Sequence, residues 1–280
     1  MAYYNILEAH GAVHAIHGIV EEFDESLQCC RNYISSHRFR DYLNNLDYKY
    51  TTWPGFSSKT NILTVDDSTF GGAEACLMAR EMGHEVIFFV NPSQIENKKA
   101  YFFCLLDFTL DSRGVDEVVF NGEQFNLSLK NQLKRFRIAV KNIAMHMGAR
   151  ESNDFIGEIS HLLKSSDGDL PHHLKTITVE DLIKLANSGV VIGSHGWDHK
   201  SIKTFSNNEM IHDLNMTSDW LYSTLGKAPV LYAVPFGFPY VEEDVANSLK
   251  MVSLLLDNDL PNGKLAENCW NRIDITSSFR

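Results

Sequence analysis

Asp66 and Asp67 end a short apolar run, residues 61–65, and His195 and His199 follow a second one in the text Ser-His-Gly-Trp-Asp-His. Two histidines four apart plus a carboxylate make a two-nitrogen, one-oxygen ligand set that leaves positions on a divalent ion for water and substrate. Neighbouring side chains on a strand point to opposite faces, so the two acids are free to take different tasks. Each motif alone has an ordinary reading as well: a strand-end turn or helix N-cap for the acids, and plain loop histidines for the pair.

The elements that must position these residues read as alternating strands and helices. Residues 62–65 form a strand, then come a helix over 73–82 and a strand over 85–90, a βαβ unit with parallel pairing. Thr178 opens a helix with acids in its first turn and Gly189 ends it. A strand over 190–193 leads into His195. A helix over 207–225 is stopped by Gly226, a strand over 230–234 ends at Pro235-Phe236-Gly237, a helix covers 241–249 and a strand 251–256. Trp53-Pro54-Gly55 marks a turn. Residues 1–60 read as a helical and loop opening segment, and 100–175 as a polar helical excursion without a strong strand. Polar residues thus collect at strand C-terminal ends, where α/β barrels and open α/β sheets place their sites.

The chain has 280 residues, 44% apolar and 22% charged, enough to bury a full core in one large domain or two small ones. Its formal charge of −11 argues against nucleic-acid or anionic-membrane partners. The one basic patch, Lys130, Lys134, Arg137 and Lys141, has the spacing of a solvated helix face. Five cysteines without CxxC spacing argue against a disulfide or zinc-finger framework. No apolar run reaches the roughly 18 residues of a membrane span, and no basic, apolar leader opens the chain. The expectation is a soluble cytoplasmic protein, its oligomeric state unset. No G-x-S-x-G, G-x-G-x-x-G or P-loop occurs.

Taken together, the segments resemble the polysaccharide deacetylases, the NodB-like carbohydrate esterases of family four. LTVDDS is similar to that family's Thr-Phe-Asp-Asp-Gly motif, SHGWDH to its His-Ser/Thr-x-x-His motif and VPFG to the tail of its Arg-Pro-Pro-Tyr/Phe-Gly motif, over roughly residues 60–240. The resemblance implies a single domain over 1–280, a distorted seven-stranded (β/α) barrel. It implies hydrolysis of an N-acetyl group on an amino sugar or surface-glycan precursor, with one divalent ion: zinc, or nickel, cobalt or manganese. By motif position Asp67, His195 and His199 are its ligands and Asp66 the general base. The ion would polarise the amide and acidify its water while the unligated carboxylate takes the proton.

The chain departs from the pattern in several places. Ser68 replaces a glycine, tolerable if its φ is negative. Ala233 stands where the third motif has the arginine that steadies the base. No Leu-x-His matches the fifth motif, whose histidine is the acid, and Asp257 and Asp259 align only loosely with a later acidic motif. Arg272 is a candidate for the missing positive charge. His17, in His-Gly-Ile, resembles the Tyr-His-Arg-Val first strand of one branch and is the candidate acid. Trp197, Pro235, Phe236 and Gly237 are candidate substrate contacts, the two aromatics serving equally well as rim packing. Phe238-Pro239-Tyr240 is similarly open, His172-His173 reads as solvated, and His10, His14 and His17 would form a rival metal stripe if helical. Two alternatives to the deacetylase remain: a non-hydrolytic sugar-binding relative, and a hydrolase of another C–N bond, a formamide or cyclic amide.

Overall fold

The computed structural model describes residues 12–51, 61–237, 251–257, 259–266 and 269–279. In chain order the strands are β1 (Val13–Ile16), β2 (Ile19–Val20), β3 (Ile34–Ser35), β4 (Ile62–Val65), β5 (Ile87–Val90), β6 (Glu117–Phe120), β7 (Glu123–Asn126), β8 (Val191–Ser194), β9 (Leu231–Ala233), β10 (Val252–Leu255), β11 (Gly263–Ala266), β12 (Cys269–Asn271) and β13 (Ile273–Asp274). The helices are α1 (Ser36–Asn44), α2 (Phe70–Glu81), α3 (Pro92–Asn97), α4 (Phe102–Asp111), α5 (Lys130–Ala144), α6 (Ala149–Leu163), α7 (Val179–Asn187) and α8 (Asn207–Leu225).

Nine strands form one mixed sheet in the order β11-β12-β10-β9-β8-β5-β4-β1-β13, parallel everywhere except between β11 and β12. The expected α/β alternation is therefore present. Strands β12 and β13 lie on opposite flanks, β12 pairing with β10 and β13 with β1, yet only Arg272 separates them in sequence. One short stretch of chain therefore draws the two flanks together.

Central strands β4 and β5 are buried at every position, as parallel strands covered on both faces must be. Caps set the helix starts. Thr69 accepts the Gly72 N–H at 3.2 Å ahead of α2, and capping boxes at Thr178/Asp181 and Ser206/Glu209 open α7 and α8. Gly226, at φ 71°, closes α8 at the expected residue.

Five sequence expectations are corrected. The opening segment is not mainly helical: β1 sits inside the sheet between β4 and β13, and α1 is its one α-helix among the described residues. All four β1 residues are buried, which removes the alternation that marks a half-buried strand. The same strand ends the idea of a helical His14–His17 stripe, while His10 lies outside the described residues. The excursion contains a hairpin, β6–β7, whose Asn121-Gly122 turn has φ 51° and 78° at its two residues, as a type I′ turn requires. The supposedly solvated face of α5 is wet only in part, because Arg137 is buried on Asp107 and Lys141 is half-buried. Finally, His173 is not solvated; its Nε2 lies 3.0 Å from the Cys29 carbonyl and its ring packs edge-on against Tyr33. The expected turn at Trp53-Pro54-Gly55 and helix over 241–249 lie outside the described residues.

Candidate metal centre and active site

The C-terminal ends of β4, β5, β8 and β9 meet at one place. Strand β4 stops at Val65, and Asp66 still donates its backbone N–H to the Ile16 carbonyl, 3.0 Å away. Asp67 then turns into the left-handed region, φ 68°, an uncommon conformation in which aspartate is among the less disfavoured residues. The turn separates the two side chains, Asp66 facing the C-terminal segment and Asp67 facing the β8 loop.

Asp67 Oδ1 lies 3.6 Å from His195 Nε2 and 3.2 Å from His199 Nε2, and each of the three side chains offers a ligand atom within 4.8 Å of the others. All three residues are buried, and Asp67 Oδ1 has no hydrogen-bond partner among the described residues. A buried carboxylate oxygen left without a donor is costly, and a dication between it and two imidazoles relieves that cost. His195 Nδ1 donates to the Ala233 carbonyl at 2.7 Å, which leaves Nε2 with its lone pair toward Asp67, the tautomer a metal ligand needs. The donor set therefore fits a divalent ion.

Asp66 is held by Arg272. Nη1 reaches Oδ1 at 2.6 Å and Nη2 reaches Oδ2 at 2.7 Å, while Nε donates to the Leu255 carbonyl at 3.1 Å and Nη1 also to Thr64 Oγ1 at 3.1 Å. Burial pushes the Asp66 carboxyl up, and the guanidinium overrides it and keeps the group ionised. The positive charge missing at Ala233 is thus supplied from the β12–β13 junction.

His17 follows β1, whose Ile16 is in register with Val65, so His17 stands abreast of Asp66. Its Nδ1 is buried without a hydrogen-bond partner among the described residues. Pro235 and Gly237 are buried in a tight turn. Gly237, at φ 82°, is essential there, since a Cβ would lie 2.3 Å from the Leu256 carbonyl oxygen. The turn sets Phe236, at φ 61°, edge-on against His199 with ring centroids 4.7 Å apart. Trp197 is half-buried and donates its backbone N–H to Asp213 Oδ2 at 3.0 Å; burial raises the Asp213 carboxyl to about 7. Asp257 caps its own loop by accepting the Asp259 N–H at 2.9 Å.

Two residues hold positions in the site that the sequence reading did not give them. Asn91, buried at the end of β5, donates to the His195 carbonyl at 2.5 Å and the Gly196 carbonyl at 3.0 Å and accepts from Tyr101 Oη at 2.8 Å. Ser68, whose φ is not positive, accepts the Asn91 N–H at 2.8 Å through Oγ and donates its own N–H to Tyr101 Oη at 2.7 Å. Together they lock the Asp67 turn to the His195 loop. A polar residue at a strand end next to Pro92 was the available signal for Asn91.

The Polysaccharide deacetylase family model matches residues 55–254, so the chain belongs to that family. Solved structures of the same fold include the Streptococcus pyogenes deacetylase PplD in complex with acetate (12% identity, TM-score 0.59, 94% of this chain and 91% of that one). IcaB from Ammonifex degensii (14%, 0.57, 95% and 92%) and a de-N-acetylase from Aggregatibacter actinomycetemcomitans (15%, 0.55, 94% of each) are similar too. No helix among the described residues is long and apolar enough to cross a membrane.

Proposed function

We propose that this chain is a metal-dependent N-deacetylase that removes the acetyl group from an N-acetylated amino sugar or surface-glycan precursor. The observation that carries the reading is the convergence of Asp67, His195 and His199 beside an Asp66 that Arg272 keeps ionised. Membership of the deacetylase family and fold neighbours that include a de-N-acetylase support it.

A divalent ion, zinc by its donor set, would be held by Asp67, His195 and His199 and would supply Lewis acidity toward the amide carbonyl and acidify water. Asp66 accepts the proton that the attacking water loses; each of its oxygens takes one bond from Arg272 and keeps a second lone pair for that proton. His17 donates a proton to the leaving amine, so water and amide become acetate and a free amino sugar. Asn91 and Ser68 hold the two loops in register, and Phe236 walls one side of His199. We read Cys269–Asp274 as one strand interrupted at Arg272, which rolls the seven parallel strands β1, β4, β5, β8, β9, β10 and β12–β13 into a (β/α) barrel of a single domain, with the antiparallel β11 outside it. Five free, buried cysteines suit a reducing compartment and hence a cytoplasmic precursor as substrate.

The test is acetate release from a panel of N-acetylated sugars by protein stripped with chelator and reloaded with zinc, nickel, cobalt or manganese. Metal-dependent acetate release that Asp66→Asn abolishes is expected. Sugar binding without turnover would replace the proposal with a non-hydrolytic relative, and release of formate or a ring-opened product with another amide hydrolase.

A further inference from the structure

Lys141 is a cation without an anion. Its Nζ lies 5.0 Å above the Phe236 ring, the same ring that packs against His199, and it has no hydrogen bond or ion pair among the described residues. Of the two carboxylates whose charge reaches it, Asp67 belongs to the candidate metal-ligand triad and Asp107 is already paired. Asp107 is clasped by Arg137, one turn earlier on α5, through Nε and through Nη2 at 2.9 Å; Asp111 accepts the Gln28 and Cys29 N–H groups at 2.8 Å each.

A lysine that merely snorkels into solvent would keep its ordinary pKa. Here burial, with the guanidiniums of Arg137 and Arg31, outweighs the pull of Asp107 and Asp67 and lowers it to about 8, so the ammonium is desolvated and only partly compensated. A partly compensated charge in such surroundings is unfavourable, and a bound anion offsets it. The chain carries a net charge of −11, so this is a local arrangement and not a basic background. One aromatic ring separates the ammonium from the metal ligands, which is where the substituents of a sugar would lie if its amide met the triad.

The geometry points to Lys141 as the anchor for an acidic substituent, a carboxylate or phosphate, on the amino sugar that this site takes. The inference rests on the deacetylase reading for the location of the sugar, and it narrows the substrate from any N-acetylated sugar to an anionic one.

Calorimetric titration of the zinc-loaded full chain with neutral N-acetylglucosamine, N-acetylglucosamine 6-phosphate and N-acetylmuramic acid tests it without relying on turnover. At least one acidic sugar should bind about tenfold more tightly than the neutral one, as a charge-assisted hydrogen bond would give. Which of the two does so identifies phosphate or carboxylate. Lys141→Met and Lys141→Gln should abolish the preference and Lys141→Arg should keep most of it. Equal binding of neutral and acidic sugars, or a preference that survives in both Lys141→Met and Lys141→Gln, overturns the assignment. Acetate release is scored in parallel. Preference without acetate sinks the hydrolase and spares the anchor, acetate without preference does the reverse, and no binding by any sugar sinks both.

Discussion

Arg272 grips Asp66 across 206 positions of sequence, with two parallel hydrogen bonds of 2.6 and 2.7 Å inside a site that excludes solvent. A guanidinium so placed fixes both oxygens of the carboxylate in one plane and holds its charge. Removing it leaves a buried, unpaired anion. Arg272→Met should therefore destabilise the fold by about 3–5 kcal/mol, read as a lower denaturation midpoint. It should also cut acetate release by roughly 10²–10⁴-fold. Arg272→Lys keeps the charge but loses the fork, so its activity should fall between the two.

Metal binding should register as stability. At 100 times its dissociation constant, an ion that binds only the folded chain adds about 2.7 kcal/mol. Zinc added to chelator-stripped protein should raise the melting temperature of the wild type and leave His199→Ala and Asp67→Asn unmoved. An equal rise in all three would place the ion elsewhere.

Stability should also fall in mild acid, through His14. Its ring is buried, with Nδ1 2.6 Å from Tyr50 Oη, and burial lowers its pKa from 6.5 to about 4. Between those values the unfolded chain binds a proton that the folded chain refuses. Stability is therefore full above pH 6.5 and declines as the pH falls toward 4, by on the order of 3 kcal/mol in all. Denaturant titrations at pH 7.5, 6, 5 and 4.5 should show a shallower decline for His14→Gln than for the wild type.

Two glycines with positive φ should respond differently to alanine. At Gly122 a Cβ meets nothing within 4 Å, so only the backbone conformation is strained, costing about 1–2 kcal/mol. At Gly237 the same strain adds to a 2.3 Å approach to the Leu256 carbonyl oxygen, so the turn itself must move and Phe236 with it. Gly237→Ala should be the less stable variant and should lose activity; Gly122→Ala should keep it.

The parts of this structure that local chemistry decides were readable in the sequence. Helix α8 is legible from its apolar positions and from Gly226, which ends it, and the strands before Asp66 and His195 announce themselves as apolar runs closed by polar residues. What depends on distant partners was not. Strand β1 shows no alternation because it is buried on every side, and a helical period read across it carried no information. The Asn121-Gly122 hairpin was legible, but its charged flanks passed for polar excursion. Arg137 and Lys141 look like any exposed helix face until Asp107 and Phe236 are folded against them. The Arg272–Asp66 pair was reached only as a vacancy at Ala233, because nothing local to either residue names the other.

The seam at Arg272 orders events during synthesis. Asp67, His195 and His199 have all left the ribosome long before residue 272 is made, so a nascent chain can assemble its ion-binding pocket early. Its proton acceptor stays untethered until the stretch that carries Arg272 docks between β10 and β1. Truncated proteins that keep Asp67, His195 and His199 but lack Arg272 should still capture metal yet lose activity, which makes ion binding and proton transfer separable along the chain.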